Sequence, residues 1–183
     1  MRARPCDGAG DDGGAPKPAW TESAAVHPAM GDGQLTAVSG LVLAAGKAMT
    51  ARDAASGKEK RTLEAGRFGT FRQPGVVDGV LYVADSSRRL WAVRPTTGAK
   101  IWQSEDIAEA DTKTPWQYVE AGGTLYAATE LDEKGGVHAV DAATGKLRWM
   151  FNDGSGDYHE WLVATDGKLV FALHGKKLHA LPV

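Results

Sequence analysis

The chain has 183 residues, 43% of them hydrophobic and 24% charged, enough to bury one ordinary core beneath a polar surface. A formal net charge of -2 argues against a nucleic-acid partner, because such domains are basic. No apolar run approaches the ~18 residues of a membrane span; the longest, such as Leu41 to Ala45, are the size of a strand.

Residues 1–19 come first and are rich in Gly, Asp, Pro and Ala, as in Gly8-Ala9-Gly10-Asp11-Asp12-Gly13-Gly14. They have little to bury and read as a flexible segment. Met1-Arg2-Ala3-Arg4 has the charge of a leader, but no apolar stretch follows, so no signal peptide is expected and the chain as it stands reads as cytoplasmic. Cys6 is the only cysteine, which excludes an intramolecular disulfide and a cysteine-based zinc site. Pro16 to Glu22 then places Trp20 behind a turn-like stretch, like a fourth strand without its sheet.

One pattern recurs through the rest of the chain, residues 20–183. Each copy opens on a short apolar run and a turn: Val38-Ser39-Gly40-Leu41, Val77-Asp78-Gly79-Val80, Ala121-Gly122-Gly123-Thr124 and Thr165-Asp166-Gly167-Lys168. The glycines at 40, 79, 123 and 167 are 39, 44 and 44 residues apart. Each turn is followed by a second element. Ala92 to Trp102 and Ala139 to Trp149 both read Ala-x5-Gly-x3-Trp, Ala51 to Arg61 has Arg in the Trp place, and a fourth copy begins at Leu178-His179-Ala180. The second copy shows the strands most plainly: Gln73 to Val77, Val80 to Ala84, Arg89 to Arg94 and Ala99 to Gln103, parted by glycine turns. Ile107 to Asp111 is the one faint helical stretch and reads as a loop. The repeats span approximately 34–63, 73–104, 117–152 and 161–183, the last without its fourth strand. Four short strands every 40–45 residues or so is the signature of a propeller blade.

The Ala-x5-Gly-x3-Trp element, preceded by Asp-Gly and a β-rich run, resembles the pyrroloquinoline-quinone-like (PQQ-like) repeat from about Gln34 to the C terminus. The resemblance implies an all-β fold: a β-propeller of about four four-stranded blades, the C-terminal half of a seven- or eight-bladed ring. It implies that Trp102 and Trp149 dock between blades, beside the space left by Ala51, Ala92 and Ala139. Gly57, Gly98 and Gly145 would make the tight turns, and Asp53 and Asp141 would accept backbone hydrogen bonds within them. Arg61, Arg94 and Ala99 depart from the pattern, so the first blade interface is expected to be the weaker.

Relatives that act as quinone dehydrogenases carry adjacent cysteines over the cofactor, a carboxylate base and calcium ligands from Glu, Asn and Asp. Cys6 and Asn152 are alone of their kinds here, so neither a cofactor nor a metal is expected. Asn152 to Asp157 lacks the order of a calcium loop and reads as a solvated turn. His159-Glu160 lacks a second histidine at zinc-protease spacing, and His174 and His179 read as surface or interface histidines. No Gly-x-Ser-x-Gly nucleophile elbow occurs. Arg88-Arg89 and Lys176-Lys177 read as solvated hairpin charges.

The positions leading into each first strand are more informative. Counting six back from the turn glycines gives Gln34, Gln73, Gln117 and Trp161, preceded by Gly33, Arg72, Trp116 and Glu160. Propellers bind ligands with the loops at one end, so Arg72, Trp116, Tyr118, Tyr158, His159 and Trp161 form a candidate recognition surface; the alternative is that Trp116 and Trp161 pack under adjacent loops. These features suggest a non-catalytic interaction or ligand-sensing module, comparable to barrel-assembly scaffolds or to the sensor regions of bacterial Ser/Thr kinases. The alternative is a fragment of a PQQ-dependent dehydrogenase whose active site lies in a missing half. The partner is a protein or small molecule of unknown identity, and open blade faces favour self-association.

Overall fold

The computed structural model describes residues 17–23, 34–67, 69–107 and 113–183. Cys6 and Gly33 lie outside them, as does 108–111 of the stretch read as a loop; Ile107 is described and buried.

Fifteen strands and no helix are found among the described residues. They form four antiparallel meanders. Blade one contains β1 (Gln34–Val38), β2 (Leu41–Ala45), β3 (Ala48–Asp53) and β4 (Glu59–Glu64). Blade two contains β5 (Gly75–Val77), β6 (Val80–Ala84), β7 (Leu90–Val93) and β8 (Lys100–Gln103). Blade three contains β9 (Pro115–Ala121), β10 (Thr124–Thr129), β11 (Val137–Asp141) and β12 (Leu147–Phe151). Blade four has three strands, β13 (Trp161–Thr165), β14 (Leu169–His174) and β15 (Lys177–Pro182). The all-β propeller architecture expected from the repeat is the one observed.

The first strand of blade two begins at Gly75, two residues later than its apolar run suggests. Pro74 has no N–H to give a ladder, and the Gln73 carbonyl instead accepts the Tyr118 hydroxyl of blade three at 3.3 Å.

Side chains alternate across each strand, so a blade buried on both faces must be apolar at every position of its central strands. β6 and β10 show this. Leu81 and Val83 pack toward blade one, while Tyr82 and Ala84 pack toward blade three. Leu125 and Ala127 join that second seam, and Tyr126 and Ala128 face blade four. The core is therefore three seams between neighbouring blades. Each fully buried Leu, Val or Phe contributes about 1.5–3 kcal/mol, and a seam holds several.

Two local devices recur. The first hairpins of blades one, two and three turn with positive φ at both central residues: Ser39 and Gly40, Asp78 and Gly79, Gly122 and Gly123. That twist matches the right-handed twist of the flanking strands. In each four-stranded blade the register also slips once between the third and fourth strands, after Ala51, Ala92 or Ala139. A bulge at that place sharpens the bend of the outer strand.

Candidate functional site

The meanders give the arc two unlike ends. The hairpins between first and second strands and between third and fourth strands lie at one, here called the turn end. The opposite loop end carries the hairpins between second and third strands and the connections between blades, whose described residues are 65–67 and 69–74, 104–107 and 113–114, and 152–160.

At the turn end, the Asp53 carboxylate accepts Ser56 N–H at 3.0 Å, and that of Asp141 accepts Thr144 N–H at 2.9 Å. Gly57, Gly98 and Gly145 each donate N–H to the carbonyl four residues back, at 2.9, 2.8 and 2.8 Å. Arg94 has no carboxylate, and its turn keeps only the backbone bonds and the Thr97 hydroxyl. The Arg148 guanidinium, 2.7 Å from Asp141, and the Thr144 hydroxyl pull the Asp141 carboxyl down to about 2.

These turns receive the outer-strand side chains of the preceding repeat. Trp102 Nε1 donates to the Ala142 carbonyl at 2.8 Å, and its ring lies where a Cβ on Gly145 would be, 2.5 Å away. Arg61 occupies the same place in the preceding seam: Nη1 donates to Thr96 O at 2.6 Å and its stem covers Gly98. Trp20 does so before blade one, donating to Ala54 O at 3.0 Å over Gly57. Trp149 touches the Tyr126 ring at 5.8 Å and is 38% exposed.

The loop end is built differently. Asp153, in a stretch that reads as a solvated turn, has a side chain only 4% exposed. Its carboxylate meets Ser155 N–H at 3.0 Å, His174 Nδ1 at 3.2 Å, Lys177 Nζ at 3.5 Å and His179 Nε2 at 3.6 Å. Burial opposes the charged form, but the Ser155 bonds and His174 outweigh it and hold the carboxyl well below the usual range. His174 is buried, its Nε2 lies 3.1 Å from the Asp157 carbonyl, and its ring stacks on Trp161 at 4.2 Å and 9°.

The six candidate surface residues divide. Trp161 is fully buried in the seam between blades three and four. Tyr118 is buried in the seam between blades two and three and donates to Gln73 O and Pro115 O; burial pushes its hydroxyl pKa up. Trp116 is half-buried and its Nε1 is shared between Thr129 O at 3.1 Å and Trp161 O at 3.2 Å, tying blades three and four. Arg72 is half-buried in blade two's connection. Tyr158, 56% exposed, and the exposed His159 lie on the 152–160 connection, His159 beside the His174 ring at 6.2 Å. Trp116 thus reaches the Trp161 carbonyl and His159 the His174 ring, while Tyr158 stands exposed beside His159 in the chain.

Sequence reasoning missed the centre of that cluster, because a lone Asp after Asn152 carries no motif. It also missed Asp85, whose buried carboxylate accepts Ser87 N–H at 2.8 Å, Arg89 N–H at 3.2 Å and the Trp91 indole at 2.8 Å. Arg88 and Arg89, read as solvated, face Asp106 at 3.7 and 3.4 Å.

The quinone cofactor associated with this repeat finds no matching donor set among the described residues. Asn152 uses its amide to tie two loops together, donating to Glu133 O at 3.3 Å and to Gly135 O in the β10–β11 hairpin and accepting Gly154 N–H at 2.7 Å. Trp161, the one wholly buried indole, already has a planar partner in His174. No three His, Cys, Asp or Glu side chains group to hold a metal among the described residues. Among the described residues there is no helix long and apolar enough to cross a membrane.

A family model described as outer membrane protein assembly factor BamB matches residues 15–179. In sequence, the quinoprotein alcohol dehydrogenase PedH of Pseudomonas putida is 32% identical over 102 residues, 50% of this chain and 17% of that one. In structure, BamB from Moraxella catarrhalis superposes with a TM-score of 0.67 at 22% identity, over 90% of this chain and 48% of that one. The computationally designed Ika4 protein superposes at 0.64 and 13% identity, over 89% of this chain and 99% of that one. The chain spans less than half the length of the two natural proteins. With the repeated turns, the three seams and the match of 165 residues (15–179), the chain belongs to the PQQ-like repeat family described as outer membrane protein assembly factor BamB.

Proposed function

We propose that this chain is a non-catalytic recognition module that binds a segment of a protein partner at the loop end of blades three and four. One observation carries the reading: the buried Asp153–His174–Trp161 cluster is met by Trp116 at the Trp161 carbonyl and by His159 at the His174 ring, with Tyr158, 56% exposed, next to His159 in the chain. Aromatic side chains have few rotatable bonds and so lose little conformational freedom on binding. The family's description as an assembly factor also supports a protein partner and a place of work outside the cytoplasm. The test is selection of peptides from a displayed library on the immobilised chain. Enriched peptides should lose about tenfold or more in affinity on Tyr158→Ala, with the urea midpoint unmoved. No enrichment, or binding indifferent to Tyr158, would overturn the proposal.

A second reading, a piece of a PQQ-dependent dehydrogenase, is supported by the 32% identity to PedH over 102 residues. Calcium-dependent binding of the quinone to the purified chain, seen as a shift of its absorbance, would favour it over the first.

A further inference from the structure

Every second residue of the 152–160 connection, from 153 to 159, meets one imidazole. His174 ends β14 and is buried. Its Nδ1 lies 3.2 Å from Asp153 Oδ1 and 3.4 Å from Ser155 Oγ. Its Nε2 lies 3.1 Å from the Asp157 carbonyl, and its ring is 6.2 Å from that of His159. The His159 ring also lies over Gly175 in the β14–β15 hairpin, where a Cβ would come within 3.1 Å of it. Trp161 covers one face of the His174 ring, nearly parallel to it.

Both nitrogens of this ring therefore face oxygens that accept. Against its burial, the Asp153 carboxyl stays ionised through the Ser155 hydrogen bonds and His174, and an ionised carboxylate only accepts, as does a carbonyl. A neutral imidazole has one N–H and turns a lone pair on one of the two oxygens; the doubly protonated ring donates to both. Burying a charged ring is costly. The charge-assisted bond to Asp153 and the indole face beneath the ring offset that cost. Lys177 Nζ and His179 Nε2 of β15 reach the other Asp153 oxygen at 3.5 and 3.6 Å, so the carboxylate is shared. His174 differs from both in having a second acceptor, Asp157 O, on the same connection.

We infer that His174 is a proton-dependent clamp on the 152–160 connection: doubly protonated it pins the connection, and with it Tyr158 and His159, and on losing a proton it lets go of one of its two oxygens. Histidine is the side chain that changes charge between about pH 5 and 8, while Asp153 stays ionised throughout that range. The charged ring is the form that grips, so the hold is full at the acid end and weakens as pH rises. Its consequence, a partner held in acid and released as pH rises, rests on the recognition reading above. The clamp itself is tested on the chain alone, so either can fail without the other.

The experiment follows the full chain from about pH 5 to about pH 8. Nitrogen NMR reads the protons on the His174 ring, and hydrogen exchange, corrected for the intrinsic rate at each pH, reads the backbone. The ring should carry protons on both nitrogens at the acid end and on one at the other. Protection of residues 153–159 should fall about tenfold or more with the same midpoint, while the amides of β10 hold. Asp153→Asn removes the charge at nearly constant size and should move the midpoint to lower pH. His179→Gln should leave loop and ring titrating together. A ring that keeps one charge state across the range would overturn the inference, and so would loop protection that does not follow the ring. The titration of the unaltered chain decides this even where a variant fails to fold.

Discussion

The two ends of the arc obey different rules. At the turn end, blades one, two and three are nearly interchangeable: a glycine closes each turn onto the carbonyl four residues back, and a side chain from the preceding repeat lies on that glycine. At the loop end no two blades agree. Blade two organises its hairpin around Asp85, blade three around Thr129 and Asp132, and blade four around Asp153 with His174. The turn end is fixed by what a twisted four-stranded sheet needs in order to meet its neighbour. The loop end is released from that need, and there side chains can serve recognition.

The largest test of this contrast is Trp102→Ala. The indole is buried and hydrogen-bonded between blades two and three, so its loss should cost about 3–5 kcal/mol by urea denaturation. Trp149→Ala should cost far less, because that ring is 38% exposed. Equal costs would mean that docking on the turn does not hold the seams.

Acidification comes next. His138 on β11 is fully buried, and burial lowers its pKa to about 4 despite the backbone carbonyls of Ala127 and Ile107 near the ring. The folded state keeps the ring neutral where the unfolded chain, with a pKa near 6.5, binds a proton. Stability should therefore be full above about pH 6.5 and fall by up to about 3 kcal/mol as pH drops to 4. His138→Leu should flatten that slope. Asp141, held at about 2, acts in a separate window: its contribution is present above 3.8 and fades as pH falls toward 2, and Asp141→Asn should remove this second phase.

A smaller effect separates packing from backbone strain. Gly145 and Gly40 have φ of +77° and +73°, so alanine costs either about 1–2 kcal/mol for the left-handed backbone. Only at Gly145 would the new Cβ also strike Trp102, at 2.5 Å, whereas Gly40 has open space. Gly145→Ala should be the more damaging in urea, and parity would show that the ring shifts freely.

Much of this could be read from the sequence, for a physical reason. The blade depends on period-two burial and on glycines that turn with positive φ, and both leave marks at fixed spacing in Val77-Asp78-Gly79-Val80 and Ala139 to Trp149. Arg61 was legible as a departure, but not as a docked side chain, because only the fold brings its stem over Gly98 and its Nη1 to Thr96. The surface positions were legible only in part. Counting from the turn glycines located the loop end, but Tyr118 and Trp161 lie in seams formed by residues some 45 positions away, such as Gln73 for Tyr118. Nothing in the local sequence of Asp153 announces His174, Lys177 and His179, which reach it from the hairpin of the next blade.

The most direct test of recognition at the loop end is a hydrogen-exchange footprint of the chain with a selected peptide bound. New protection should be confined to the stretches around Trp116 and 152–160, with the turns at 54–58, 95–99 and 142–146 exchanging as before. Protection at those turns, or none at the rim, would contradict it.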